Sequence, residues 1–224
     1  MRPGGGGVGV EIRESPVSDE EFAEMTAFVH DYLAASVESE DDGGRMRWYP
    51  WHSAEYRFNH ILNVVDLAEE IARDEGANVD VTRVAALFHD IAKLEVDQDL
   101  HAEEGARIAR EYLRSHGDFP ESFVEEVCLA VERHSYQGEL SDLPLETRCL
   151  VEADLLDKVG ANGTALMLLR MGYESRTHTD AAESIIHRRL KRVKWFKEWL
   201  ESEVASVNRD EDLGGVPTGM HETD

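Results

Sequence analysis

Positive charge is scarce in this sequence: 23 lysines and arginines stand against 47 aspartates and glutamates, for a formal net charge of −24. Such a surface repels phosphate backbones over most approaches, which excludes an extended nucleic-acid groove. Long apolar runs are missing too. None approaches the roughly 20 residues that span a bilayer, and the N-terminal MRPGGGGVGV lacks the apolar core of a signal peptide. A cytoplasmic protein without a membrane partner is expected. Cysteine is limited to Cys128 and Cys149, both in apolar helical surroundings without metal or redox spacing. They are expected to be buried free thiols in a reducing compartment. No stretch shows the period-two alternation of a strand, so the fold class is all-α.

What is present is a succession of helical stripes. Residues 1–17 are Gly-rich and aperiodic and are expected to form a mobile tail. Ser18 then caps a first helix over about 19–36, with Phe22, Met25, Phe28, Val29 and Leu33 on one face. A second helix spans about 53–75, burying Ile61, Val64, Val65, Ala68 and Ile71, with Gly76 after it. His60 borders that stripe and Arg57 lies one turn earlier. Asp80 is the expected cap of a central helix that runs through FHDIAKL, Phe88 to Leu94. Further helices are expected from His101 to Gly117, from Pro120 to His134, across LETRCLVEADLLDKVGANG, across TALMLLRMGY, and across ESIIHRRLKRVKWFKEWLESEVA. From 208 to 224 the chain turns polar, acidic and Gly-rich and is expected to be disordered. The whole reads as one domain over 18–207, a bundle of seven or eight helices without internal repeat.

His89 and Asp90 are adjacent within the apolar FHDIAKL stretch, and Lys93 follows one turn later. A buried imidazole beside a buried carboxylate is costly unless something pairs them, and a metal ion would do so. The other candidates are His60, His101, His134 and Asp154, each on or beside the apolar face of a different helix. Inward projection from facing helices is how bundles build metal sites. Taken singly, each histidine also fits a hydrogen-bonded core role.

The order of a lone His, a His-Asp pair and a later Asp, carried by FNHILNVV, ALFHDIAK and EADLLDKVGA, resembles the HD superfamily of metal-dependent phosphohydrolases. The resemblance covers about 51–160. It implies that His60, His89, Asp90 and Asp154 hold a first divalent metal. HAEEGARIARE and VERHSY are similar to segments that supply a second metal in dinuclear branches, which implies His101 and His134 for that ion with Asp90 bridging. The paired histidines and Gly-Tyr-Pro signature of the cyclic-dinucleotide branch are absent. The match is closer to small stand-alone HD hydrolases of undefined substrate.

The expected cofactor is therefore one or two divalent ions, with Mn, Fe, Co, Zn and Mg all admissible. The expected chemistry is hydrolysis of a phosphomonoester or phosphodiester, of a nucleotide in particular, by metal-activated water, with Asp90, Lys93 and Arg57 at the reacting phosphate. Lys93 and Arg57 also fit a plainer reading as surface charges paired with nearby acid. Asp157 and Lys158 fit either a supporting layer around Asp154 or a salt bridge. A di-iron oxygenase and a non-catalytic, metal-stabilised binding module remain as alternatives on the same residues. Aromatic residues are only 8% of the chain, yet Trp48, Tyr49, Trp51 and Tyr56 fall together, either over a core edge or at a ligand mouth. The basic run His187 to Lys194 can guide a phosphate, contact a second copy in a homo-oligomer, or balance the acidic body.

The acidic residues are spread along the helices rather than gathered in a tail, a pattern suited to molar salt, where screening shortens repulsion to about 3 Å. Dialysis to low salt is expected to unfold the protein, read as loss of helical circular dichroism; full stability there would remove the case for salt adaptation.

Overall fold

Local signals set the helix ends. The computed structural model describes residues 16–38, 53–159 and 161–173, and no strand occurs among them. Helix α1, Asp19–Glu38, starts at a reciprocal cap: the Ser18 hydroxyl accepts from the Glu21 amide at 3.2 Å, and the Ser18 amide donates to the Glu21 carboxylate at 2.8 Å. Val17, assigned to the tail from sequence, is instead buried in the core, and its carbonyl accepts from Arg83 at 2.8 Å. Helix α2, Ala54–Glu75, begins at Ser53 and ends at Gly76, whose φ of 73° is the left-handed conformation that a side chain would disfavour.

Helix α3, Val79–Phe88, is capped by Asn78 rather than Asp80. The Asn78 side chain accepts from the Val81 amide, while Asp80 pairs with Arg83 at 2.9 Å. Helices α4, His101–His116, α5, Glu121–Arg133, α6, Leu145–Asp157, and α7, Ala161–Tyr173, complete the described set, with a single 3-10 turn at Leu140–Asp142. Pro120 precedes α5 as its cap residue instead of opening it. The later helix expected around 183–205, the basic run 187–194, the tails 1–15 and 208–224, and Trp48, Tyr49 and Trp51 lie outside the described residues.

Helix α3 is the axis of the bundle and packs against α1, α2, α4, α5 and α6. It is buried all round: Val81, Val84, Ala85, Ala86, Leu87 and Phe88 have no exposed surface. Burying Phe88 alone contributes about 1.5–3 kcal/mol. Its ring lies beside those of Phe28 and Tyr112, which ties α1 and α4 to the axis. Cys128 and Cys149 are free and buried, and burial pushes their thiols up to about 11 and about 12. No helix of the described residues is long and apolar enough to cross a membrane.

Two glycines admit close backbone approach near the end of this axis. A Cβ on Gly163 would lie 2.5 Å from the Asp157 carbonyl oxygen, so α7 can meet the end of α6 only without a side chain there. A Cβ on Gly105 would meet the Phe88 carbonyl oxygen and Val131 at 3.4 Å, an ordinary contact. Gly163→Ala is therefore expected to cost about 1–3 kcal/mol, seen as a melting midpoint lowered by several degrees. Gly105→Ala is expected to be neutral or slightly stabilising, because alanine favours the helix by about 1 kcal/mol.

Candidate metal centre

The sequence places His89 and Asp90 inside a helix, but the helix stops one residue earlier. His89 is the C-terminal cap of α3, and 3-10-type bonds follow, from Ile91 to Phe88 at 3.2 Å and from Lys93 to Asp90 at 3.0 Å. The His89 ring donates through Nδ1 to the Ala86 carbonyl at 2.7 Å, competing with the amide that a continuing helix would bring there. The turn lets neighbouring side chains do different work. His89 faces α2 and α6, and Asp90 sits between two groups of ligand atoms.

Four imidazoles surround that carboxylate, and their tautomers follow from what holds their outer nitrogens. A carbonyl can only accept, so Nδ1 is the donor in His89 to Ala86, in His101 to Gln98 at 2.5 Å, and in His134 to Val131 at 2.7 Å. His60 Nδ1 faces the Asp157 carboxylate at 2.6 Å, and Asn63 donates to the other oxygen of Asp157 at 3.1 Å. All four Nε2 atoms are thereby left as inward-facing acceptors.

The two oxygens of Asp90 divide these acceptors. Oδ2 lies 3.7 Å from His60 Nε2 and 3.6 Å from His89 Nε2, while Oδ1 lies 3.4 Å from His101 Nε2 and 3.6 Å from His134 Nε2. His60, His89 and Asp90 form one buried group that can hold a metal ion, and Asp90, His101 and His134 a second. Asp154 stands beyond the first group, its Oδ1 3.1 Å from His60 Nε2 and 3.8 Å from His89 Nε2. With both atoms acceptors, the contact with His60 is not a hydrogen bond. His60 Nε2, His89 Nε2 and Asp154 Oδ1 are all buried without a hydrogen-bond partner. Three orphaned, buried acceptors converging on one point fit a divalent cation, and imidazole with carboxylate suits Zn, Fe, Mn or Co.

Side-chain cations already balance the carboxylates. Arg57, buried on α2, donates to Asp90 Oδ2 at 2.5 Å, Lys93 lies 3.6 Å from Asp90 Oδ1, and Lys158 bonds Asp154 from four residues on. Burial pushes both carboxyl groups up, but these neighbours outweigh it: Lys93, Arg57 and His89 hold Asp90, and Lys158, His60 and His89 hold Asp154, well below the usual range. Burial drives His89 down to about 3, and burial with the Lys93 ammonium drives His101 to about 4. His60 goes the other way. Burial lowers its pKa, but Asp154 and Asp157 together raise it, so this end of the pocket draws positive charge. Burial brings the Lys93 ammonium down to about 8, against the pull of Asp90.

Residues 57–159 match the family model of the HD domain. Over those residues the chain is similar to an HD domain. A tRNA (cytidine(56)-2′-O)-methyltransferase of Thermoplasma volcanium is 31% identical over 94 residues, 42% of this chain. That match spans only 25% of the relative's length. Among solved structures, an HD-superfamily hydrolase from Bacillus thuringiensis is 19% identical with a TM-score of 0.52, covering 84% of this chain and 97% of the other. Bacillus subtilis YpgQ in complex with ADP is 17% identical with a TM-score of 0.51, covering 88% and 97%. These two structures share the all-α fold of the HD domain.

All six ligands expected from the sequence, His60, His89, Asp90, His101, His134 and Asp154, come together with Arg57 and Lys93. Arg57 and Lys93 are largely buried here rather than surface charges. Asp157 holds His60, a partner the sequence did not suggest, and Lys158 is the salt-bridge partner of Asp154. Nothing in the sequence marks Asn63 or Ser135. Asn63 lies one turn past His60, and Ser135 follows His134 directly, with its hydroxyl 3.2 Å from both His101 Nε2 and His134 Nε2. Carboxylate-held histidines lose about 10–100-fold in metal affinity when the carboxylate is removed. Asp157→Ala is expected to weaken Co²⁺ binding by that order, read by calorimetry, with helical content unchanged; unaltered affinity would leave Asp157 as a salt-bridging residue only.

Proposed function

We propose that this protein is a metal-dependent phosphohydrolase that cleaves a phosphomonoester or phosphodiester, of a nucleotide in particular. The observation that carries this reading is the single buried carboxylate of Asp90, each of whose oxygens faces its own pair of histidine acceptors. In this reading His60, His89, Asp154 and Asp90 hold one divalent ion, and Asp90, His101 and His134 hold another. Bound there, such ions supply Lewis acidity, lowering the pKa of a water and neutralising phosphoryl oxygens.

The chain's own groups do the rest. Asp157 and three backbone carbonyls keep the four rings turned inward, so the rings themselves need not reorient when a substrate arrives. Arg57 and Lys93 place a guanidinium and an ammonium on either side of the buried Asp90 carboxylate, where they can neutralise phosphate oxygens. The nucleotide part of the reading draws support from YpgQ, a structural neighbour known in complex with ADP. The cytoplasmic setting draws support from the two free, buried cysteines. The proposal of a salt-adapted surface draws support from the net charge of −24.

The test is hydrolysis of nucleotides, dinucleotides and a generic phosphodiester in molar KCl with Mn²⁺, Fe²⁺, Co²⁺ or Mg²⁺. Metal-dependent turnover is expected, falling by at least about a hundredfold in His89→Ala and Asp90→Ala. No turnover by folded, metal-loaded protein would overturn the reading, and iron-dependent oxygen consumption would put an oxygenase in its place.

A further inference from the structure

The two groups around Asp90 are unequal in what already fills them. In the first, Arg57 already donates to Asp90 Oδ2, but the imidazole acceptors His60 Nε2 and His89 Nε2, and Asp154 Oδ1 just beyond them, have no hydrogen-bond partner. The second has donors in place. Lys93 Nζ lies 2.9 Å from His101 Nε2 and 3.6 Å from Asp90 Oδ1, and the Ser135 hydroxyl lies 3.2 Å from both His101 Nε2 and His134 Nε2. The Nε2 atoms of His101 and His134 are 3.1 Å apart. Both rings spend Nδ1–H on backbone carbonyls, so this contact brings two lone pairs together and is unfavourable without a positive group beside it. Lys93 supplies that group. Its side chain is only 11% exposed, so its ammonium is held among these acceptors rather than in solvent.

We infer that Lys93 is the resident counter-cation of the second group, so that metal ions load in order. The group of His60, His89 and Asp90, with Asp154 beyond it, takes the first ion, and the group of Asp90, His101 and His134 takes the second only as Lys93 withdraws. This deepens the proposed dinuclear reading and rests on it. A divalent ion and an ammonium cannot share His101 Nε2, because the ring nitrogen has a single lone pair, and their charges repel at close range. The withdrawal gives Lys93 a second task. An ammonium displaced from its acceptors in a buried pocket needs a new anion, and a substrate phosphate is the anion that the pocket is proposed to bind. Loading of the second ion and capture of phosphate by Lys93 would then reinforce each other.

The experiment titrates the metal-free full-length protein with Mn²⁺ by calorimetry, with electron paramagnetic resonance counting coupled ion pairs. The wild type is expected to take one ion tightly and a second weakly. Lys93→Met keeps the length of the side chain and removes the charge. It is expected to tighten the second ion's Kd by about tenfold or more, bring the coupled-pair signal to lower Mn²⁺, and leave the first Kd unchanged. Lys93→Arg, which keeps a cation, should titrate like the wild type. An unchanged or weaker second Kd in folded Lys93→Met overturns the inference, as does an equal rise at both sites, which would mark a general field effect. His60→Ala separates the two levels of the argument: if the wild type takes no ion, or His60→Ala binds as the wild type does, the metal reading itself falls. Two ions that bind alike in wild type and Lys93→Met overturn only the ordered loading.

Discussion

The structure depends on keeping one carboxylate, that of Asp90, ionised in the middle of a dry helical bundle. An isolated buried carboxylate would take up a proton, because desolvation penalises its charged form. Arg57 and Lys93 prevent this, and the four surrounding rings offer it no acid of their own, since each spends its proton outward. The centre is thus rich in lone pairs and bounded by cations. That is an arrangement which gains from added positive charge and loses if any one partner is removed.

Helix ends reinforce this polarity. Helices α3 and α5 terminate at His89 and His134, and Asp154 stands in the last turn of α6. Three C-terminal ends, each with partial negative charge, therefore border the same pocket, a direction of dipoles that favours cations. The opposite end of α3 shows the reverse. There the N-termini are met by the chain's own carboxylates, as where Glu146 accepts from the Asn78 amide at 3.1 Å.

Much of the fold was legible because helix signals are local. Apolar residues at three- and four-residue spacing marked α1, α2, α4 and α5, and Ser18, Ser53 and Gly76 marked ends. Misplacements arose where one residue outcompeted another for the same backbone group. Asn78 rather than Asp80 met the free amides of α3, because Asp80 was drawn to Arg83. His89 closed the same helix by taking the Ala86 carbonyl, so FHDIAKL is part helix and part turn. Val17 is in the core although the Gly-rich run before it suggests a tail. A single apolar side chain at a domain edge carries no periodicity to announce itself.

The sequence by itself determined the helical class and the identity of the polar residues set on apolar faces: His60, His89, Asp90, His101, His134 and Asp154. Position along a helix settles which way such a residue faces. Only the tertiary structure decided how they divide, with Asp90 between two pairs of rings, Asp157 joined to His60 across 97 positions of chain, and Lys93 set on His101. Pairings of this kind depend on which helices pack against α3 and at what depth. That is fixed by contacts between residues far apart in sequence, and no local pattern encodes it.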